Sequence, residues 1–566
     1  MKDKRYALGL DFGTNSVRAL ILDTRTGQEL ADAVADYPSG EAGVILDRKN
    51  DLVARQHPRD WLHSMTRAVK AILRAAKKKR KKFSPDQIVG IGIDTTGSTP
   101  LPLDQSGAPL AFDKDFRKDL NAYAWLWKDH SSYAETEQII SAAKEHKPEY
   151  LEMYGGRYYS EWFWAKILHC RRVAPRVFRS AYTWAEASDW IPATLTGVTK
   201  AEDIKRNICA AGHKAMFNRN WDGYPEFEFL ARLDLELAEL RDRLPNLAYS
   251  ANELAGTLTA PWAKNLGLKP GLPIAISEMD AHCGALGSGI KPGRLVKIIG
   301  TSTCDMMVAP KTSGLKGIPG IPGVVEDSII PGYLGVEAGQ SAVGDLFNWF
   351  VAGIAPAKLG HAELTRQAKL LKPGETGLVA LDWNNGNRSI LMDAQLSGLI
   401  LGPSLHTKPA EIYRALIEAT AFGARVIIKR LEAYGQKVEE VVCCGGISEK
   451  NDLLLQIYAD VLGKPMKLAA SAQACALGAA ILGGKAAGKK NGGFEKVEEG
   501  QARACRLKDQ VFRPKADARV IYDQLFQIYL ALHNSLGGVE KSADLGWAMK
   551  KLLELKKAAA GSDGGK

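Results

Sequence analysis

The chain has 566 residues, 46% hydrophobic and 25% charged, with a formal net charge of +11. That length exceeds one compact core, so two or more domains are expected, of ordinary soluble globular composition. No apolar run approaches membrane-spanning length, and Met1-Lys-Asp-Lys-Arg leads straight into a strand; neither a secretory signal nor an anchor is expected. The eight cysteines (170, 209, 283, 304, 443, 444, 475 and 505) are scattered without a C-x-x-C pair. This fits reduced thiols in a cytoplasmic protein better than a disulfide framework or a cysteine zinc site.

Much of the positive charge sits in Lys77-Lys-Lys-Arg-Lys-Lys82 and around Lys550, Lys551, Lys556 and Lys557. The first run follows an amphipathic pattern over Trp61–Arg74 and is expected to form its solvated last turn, where the helix dipole favours cations. Nucleic-acid binding is the weaker reading of that run, while attraction of phosphorylated small molecules stays open.

In chain order, Tyr6–Asp23 reads as a short apolar strand running into Asp11, a Gly-Thr turn and a second apolar strand. Asp11, Gly13, Thr14, Asn15, Ser16 and Arg18 cluster there. Backbone amides and hydroxyls in such turns make nests for phosphate oxygens, and a neighbouring carboxylate suits Mg²⁺. Residues 27–60 read as a third strand and loop. The segment Gln87–Asp94 lacks alternation, as a buried central strand does, and runs into Thr-Thr-Gly97-Ser-Thr-Pro. Residues 115–250 are helix-dominated and rich in aromatics, most of them expected in a core. Cys209-Ala-Ala-Gly-His-Lys214 breaks helical periodicity and reads as a loop. A short strand at 273–277 leads to Asp280, expected as the N-cap of a helix.

A second Gly-Thr-Ser hairpin, Arg294–Val308, restarts the pattern, which suggests duplication of one unit and two lobes facing a shared cleft. Glu337 and Gly344 follow on a strand and a helix, and a long helix is expected from Pro409 to about Tyr434. The run Val438–Cys444 meets Gly445-Gly446 before another helix, so that a flat ring can approach the backbone without Cβ interference. Ala474–Gly483 is a small-residue helix suited to close packing, and 545–566 reads as a frayed charged helix with a Gly/Ser tail. Two phosphate cradles, a metal-associated acid, a nucleoside shelf and a candidate base are what phosphoryl transfer from a nucleotide requires. There is no G-x-x-x-x-G-K-[ST] loop and no G-x-G-x-x-G opening a βαβ unit, which argues against a P-loop enzyme and a dinucleotide dehydrogenase.

On these residues the chain resembles the FGGY carbohydrate kinases, of the actin-like ATPase fold, from about residue 5 to 540. The general motifs are Asp11–Arg18, Gly300-Thr-Ser302 and Gly445-Gly-Ile-Ser448. Gly92–Pro102, Leu126–His130, Gly212-His-Lys214, Asp280-Ala-His282 and Glu337–Asp345 are similar to the family's ribulokinase branch. The resemblance implies an α/β fold of two ribonuclease-H-like lobes with a cleft between them. An N-terminal lobe would span 1–289, on the sugar side, with a helical insertion at about 115–250. A C-terminal nucleotide lobe would span 290–545, and 546–566 would be a charged flexible tail.

It further implies ATP and Mg²⁺ as cofactors and a ketopentose as the small-molecule partner, with no nucleic acid and no membrane. A homodimer is allowed. Asp280 would be the general base that takes the proton of the attacking sugar hydroxyl. Asp11 would organise Mg²⁺; Gly13, Thr14 and Asn15 would cradle the transferred phosphoryl group, with Gly300 and Thr301 on its other side. Gly344, Gly445, Gly446 and Asn451 would border the adenosine. Gly97, Trp127, Lys214 and Glu337 would surround the sugar with Asp280. The implied reaction is phosphorylation of L-ribulose at O5. Rivals are another ketopentose or pentitol such as D-ribulose or ribitol, and, from a different class, a non-catalytic actin-like ATP-binding assembly protein.

Overall fold

A computed structural model of the protein describes residues 5–540 and 545–561. The apolar run Tyr6–Phe12 is buried at every position because it lies inside a mixed sheet covered on both faces. It pairs antiparallel with Ser16–Asp23, which pairs antiparallel with Glu29–Asp36. On its other side it runs parallel to Ile88–Thr95, then come Pro273–Ala275, also parallel, and Leu254–Thr257, antiparallel.

The second half repeats that order. Arg294–Ile299 pairs antiparallel with Thr303–Pro310, which pairs antiparallel with Tyr333–Ala338. Its other neighbour is the parallel strand Glu440–Cys444, followed by Met466–Ala469, parallel, and Leu507–Phe512, antiparallel. The same three-strand meander, two parallel strands and antiparallel edge occur twice, as the paired Gly-Thr hairpins suggest. A short strand, Val324–Glu326, extends the second sheet beyond Tyr333–Ala338.

The two halves are joined by glycine-enabled contact. The helix Ala474–Ala487 belongs in sequence to the second half but lies against the first sheet and against the helix Asp280–Gly287. A Cβ on Gly92 would fall 1.8 Å from Ala479 O, and one on Gly478 2.0 Å from Cys283 O. Any side chain at either position would push the elements apart. The cleft lies at the strand ends that this contact brings together.

Three sequence expectations change. Ile208–Lys214 is a helix and not a loop: Asn207 accepts from Ala210 N as its N-cap, and all seven helical residues are buried. A helix buried on all sides has no polar face, so it shows no amphipathic period. Asp280 is the first helical residue and not the N-cap; Met279 occupies the cap position without a side-chain cap bond. The charged segment near the end is not a free tail, because the helix Gly546–Gly561 buries Ala548, Leu552 and Leu555 in the second half's core. Lys550 and Lys557 are exposed, while Lys556 Nζ donates to Thr376 O at 3.3 Å. The Gly/Ser stretch at 562–566 lies outside the described residues.

The helix Pro58–Lys79 ends in exposed Lys77, Lys78 and Lys79, as expected of a solvated last turn. Among the described residues no helix is long and apolar enough to cross a membrane.

Candidate active site

One cleft of about 230 Å³ gathers residues from both halves of the chain. From the first come Thr14, Gly97, Trp127, Lys214 and Asp280; from the second come Gly300, Thr301 and Glu337. A larger cavity of about 740 Å³ lies in the second half between Arg414, Tyr522 and Leu555, and none of the predicted site residues lines it. The smaller cleft is therefore the candidate site, chosen on its chemistry and not on its size.

On one side of the cleft, Lys214 Nζ donates to both oxygens of Glu337, at 2.8 and 3.0 Å. The short buried helix delivers Lys214 and the strand Tyr333–Ala338 delivers Glu337, so this ion pair ties the two halves together. Burial alone would raise the Glu337 carboxyl; Lys214, with His213 and His282, holds it down at about 2. Trp127 forms one wall, and its Nε1–H donates to Thr14 Oγ1 at 3.0 Å, linking that wall to the first hairpin. A Cβ on Gly97 would lie 2.4 Å from Met279 Sδ, so the bare glycine lets that turn sit against the strand leading to Asp280.

Asp280 is half-buried, and its Oδ1 accepts from Ala281 N at 2.7 Å. Burial first, then the charge of Asp11, pushes its carboxyl up to about 7. A base that titrates near neutrality is suited to take a hydroxyl proton as a bond to phosphorus forms. Asp11 Oδ2 accepts from Arg18 Nη1 at 2.9 Å, and that carboxylate raises the guanidinium's pKa. Asp94 lies beside Asp11 in the parallel register. Asp11 Oδ1 and both Asp94 oxygens are buried without a hydrogen-bond partner among the described residues. Burial, then Asp11 and Asp280, holds the Asp94 carboxyl well above its ordinary range. Unpartnered acidic oxygens beside a phosphate-type turn fit a hard divalent cation.

Not every predicted residue reaches the cleft. Gly13 N donates to Ser16 O at 3.1 Å within the hairpin, while Thr14 lines the cleft itself. Asn15 is exposed, and its amide donates to Ala42 O, away from the site. On the opposite jaw, Gly344 N donates to Gly300 O at 3.1 Å and Asp345 N to Thr301 O at 3.1 Å. A Cβ on Gly344 would lie 2.5 Å from Ile447 Cδ1, and one on Gly445 2.4 Å from Ile299 O. Gly344, Gly445 and Gly446 therefore form a ledge beside Gly300, with Gly445 and Gly446 exposed. Asn451 is committed locally: it caps the helix Asp452–Leu462 by accepting from Leu454 N at 3.1 Å.

Sequence reasoning missed a second ion pair across the cleft, Arg388 Nη2 to Glu161 Oε1 at 3.2 Å, with both residues lining the cavity. Nothing in the turn-rich run Asn384–Arg388 marks it, because its partner is 227 positions away. Lys166 was missed as well. Fully buried, its ammonium donates to Ser98 O at 2.6 Å, Leu126 O at 2.8 Å and Trp125 O at 3.2 Å. It staples together the loops that carry Gly97 and Trp127. An apolar-flanked lysine in Trp162–Leu168 was the available signal.

Comparison with known proteins agrees with this geometry. The N-terminal domain of the FGGY family of carbohydrate kinases matches residues 6–287, and its C-terminal domain matches 295–487. The ribulokinase of Geobacillus thermodenitrificans is 41% identical, covering 98% of this chain and 98% of that protein. The ribulokinase of Vibrio parahaemolyticus is 37% identical, covering 94% of this chain and 95% of its own. Among solved structures, xylulose kinase from Rhodospirillum rubrum superposes with a TM-score of 0.75 at 22% identity, covering 94% of this chain and 99% of its own. Plasmodium falciparum glycerol kinase with ADP gives 0.73 at 15%, covering 94% and 98%. The likeness to these structures shows that the chain shares their fold. With both domains matched in order and relatives aligned over nearly its whole length, the chain belongs to the FGGY family of carbohydrate kinases.

Proposed function

We propose that the protein is an ATP-dependent kinase that phosphorylates L-ribulose at O5 to give L-ribulose 5-phosphate, a step of L-arabinose catabolism in the cytoplasm. The observation that carries the reading is one cleft uniting Asp280, the Lys214–Glu337 pair and the Gly300–Thr301 turn. The ribulokinase names of relatives 35–41% identical supply the choice of sugar. In this reading residues 1–289 and 290–545 form the two lobes, with Lys214 and Glu337 contributed one from each.

Lys214, Glu337 and Trp127 would hold the ketopentose, the charged pair bonding hydroxyls and the keto oxygen while the indole walls a flat face. That places the terminal hydroxyl against Asp280. Asp280 takes its proton as the oxygen bonds to the γ-phosphorus and the bond to the leaving ADP oxygen breaks. Thr14, Gly300 and Thr301 contact the phosphates from opposite jaws, and Gly344, Gly445 and Gly446 border the nucleoside. Asp11, with Asp94 behind it, would hold Mg²⁺, which supplies charge neutralisation on the phosphate oxygens. Asn15 and Asn451 act through hairpin and helix geometry. Closure over both substrates excludes water, a competing acceptor. A panel of L-ribulose, D-ribulose, ribitol, D-xylulose and glycerol in a coupled ADP-release assay tests the reading. Highest kcat/KM with L-ribulose supports it; preference for another acceptor reassigns the sugar, and sugar-independent ATP binding without turnover removes the kinase.

A further inference from the structure

The sugar side of the cleft holds two histidines that the proposed phosphoryl transfer does not use. His213, on the helix Ile208–Lys214, and His282, on the helix Asp280–Gly287, flank Glu337. His213 Nδ1 lies 3.5 Å and His282 Nε2 3.7 Å from the same carboxylate oxygen, Oε2. The three ligand atoms lie within 4.8 Å of one another. Four-coordinate zinc with bonds of about 2.0–2.1 Å separates its ligand atoms by about 3.3–3.4 Å, so small movements would close this set on an ion.

The hydrogen bonding shows what is missing. Ser328 Oγ lies 3.0 Å from His213 Nε2 and 3.2 Å from Val325 O. His213 Nδ1, which faces the carboxylate, is buried with no hydrogen-bond partner among the described residues. His282 is buried with neither ring nitrogen hydrogen-bonded among the described residues. Buried polar atoms are rarely left in that state. Ser328 also plays the part of the outer partner that orients a ligating imidazole.

We propose that His213 Nδ1, His282 Nε2 and Glu337 Oε2 form a binding site for a zinc-class divalent ion. Its fourth position opens on the cleft, which His282 and Glu337 line. Lys214 keeps its bond to Oε1 at 2.8 Å and gives up its second contact, to Oε2. Imidazole ligands select zinc, cobalt or nickel over Mg²⁺, so the site is separate from the acidic cluster at Asp11. Because ion and sugar need the same Glu337, each excludes the other; this last clause rests on the proposed ketopentose site.

The test uses the full chain without nucleotide. Zn²⁺ binding is measured by equilibrium dialysis, and the visible spectrum is recorded with Co²⁺, for the wild type, His213→Asn and His282→Asn. Circular dichroism establishes that each variant is folded, and two variants keep the test alive if one is not. One Zn²⁺ per chain, weakened at least about tenfold in a folded variant, with four-coordinate cobalt bands, supports the site. Unchanged zinc affinity in the folded variants, or thiolate-to-cobalt charge transfer, overturns it. L-ribulose is then added to the zinc form. Displacement supports mutual exclusion, and its absence overturns it. Because binding is read without turnover, a protein that holds zinc through these histidines but phosphorylates no ketopentose refutes only the substrate reading.

Discussion

Replacing Lys214 by methionine removes the ammonium and keeps much of the side-chain volume. Two charge-assisted hydrogen bonds to Glu337 disappear, and a buried carboxylate is left facing only two imidazoles. A hydrogen bond to a charged group contributes about 1.5–3 kcal/mol, so losing one contact to the bound sugar should lower kcat/KM for the sugar by about tenfold to a hundredfold. Saturation by ATP should change little, because the Gly344–Gly446 ledge lies on the other jaw. Glu337→Gln should act similarly. The double variant should cost less than the two single losses combined, since the residues act as a pair. Steady-state kinetics with each substrate varied at saturating levels of the other reads all three. Equal losses for ATP and sugar, or strictly additive losses in the double variant, would refute the placement of the pair in the sugar site.

Asp280→Asn keeps the shape of the side chain but not its basicity. It should lower kcat by about 10²–10⁴ while ATP and sugar binding, read by titration calorimetry, persist; near-wild-type turnover would remove Asp280 from the base role. With its carboxyl at about 7, the ionised fraction of Asp280 grows as pH rises. The kcat/KM for sugar should therefore climb about tenfold per unit below that value and level off above it, and the residual activity of Asp280→Asn should lack this limb. Removing the buried Leu552 side chain from the docked terminal helix should weaken local packing by about 2–5 kcal/mol. A Leu552→Ala protein should melt earlier in calorimetry with kcat unchanged; an unshifted transition would return the helix to the status of a free tail.

The parts of the site that the sequence made legible are those built from short contiguous motifs. Asp11 to Thr14, Gly300-Thr301 and Asp280 each sit where a strand ends, and a glycine or acid at that point reports a turn. The duplicated hairpin order was readable for the same reason. Lys214 was legible only through family resemblance, because the helix that carries it is buried on every side and displays no period. The Glu161–Arg388 pair and the Lys166 staple were not legible, since each depends on partners brought together from distant segments by the fold. Asn451 carried a plausible functional signal yet serves as a helix cap. The terminal helix had its pattern at Ala548, Leu552 and Leu555, but the density of lysines around them outweighed it.

On the proposed reading this cleft transfers a phosphoryl group to the terminal hydroxyl of L-ribulose. Its most direct measurement is the identity of the product formed from ATP, Mg²⁺ and L-ribulose, by ³¹P and ¹³C NMR. A phosphate ester at O5, formed in step with ADP, is the expected product. Phosphate at another position, or ADP released with inorganic phosphate and unchanged sugar, would contradict it.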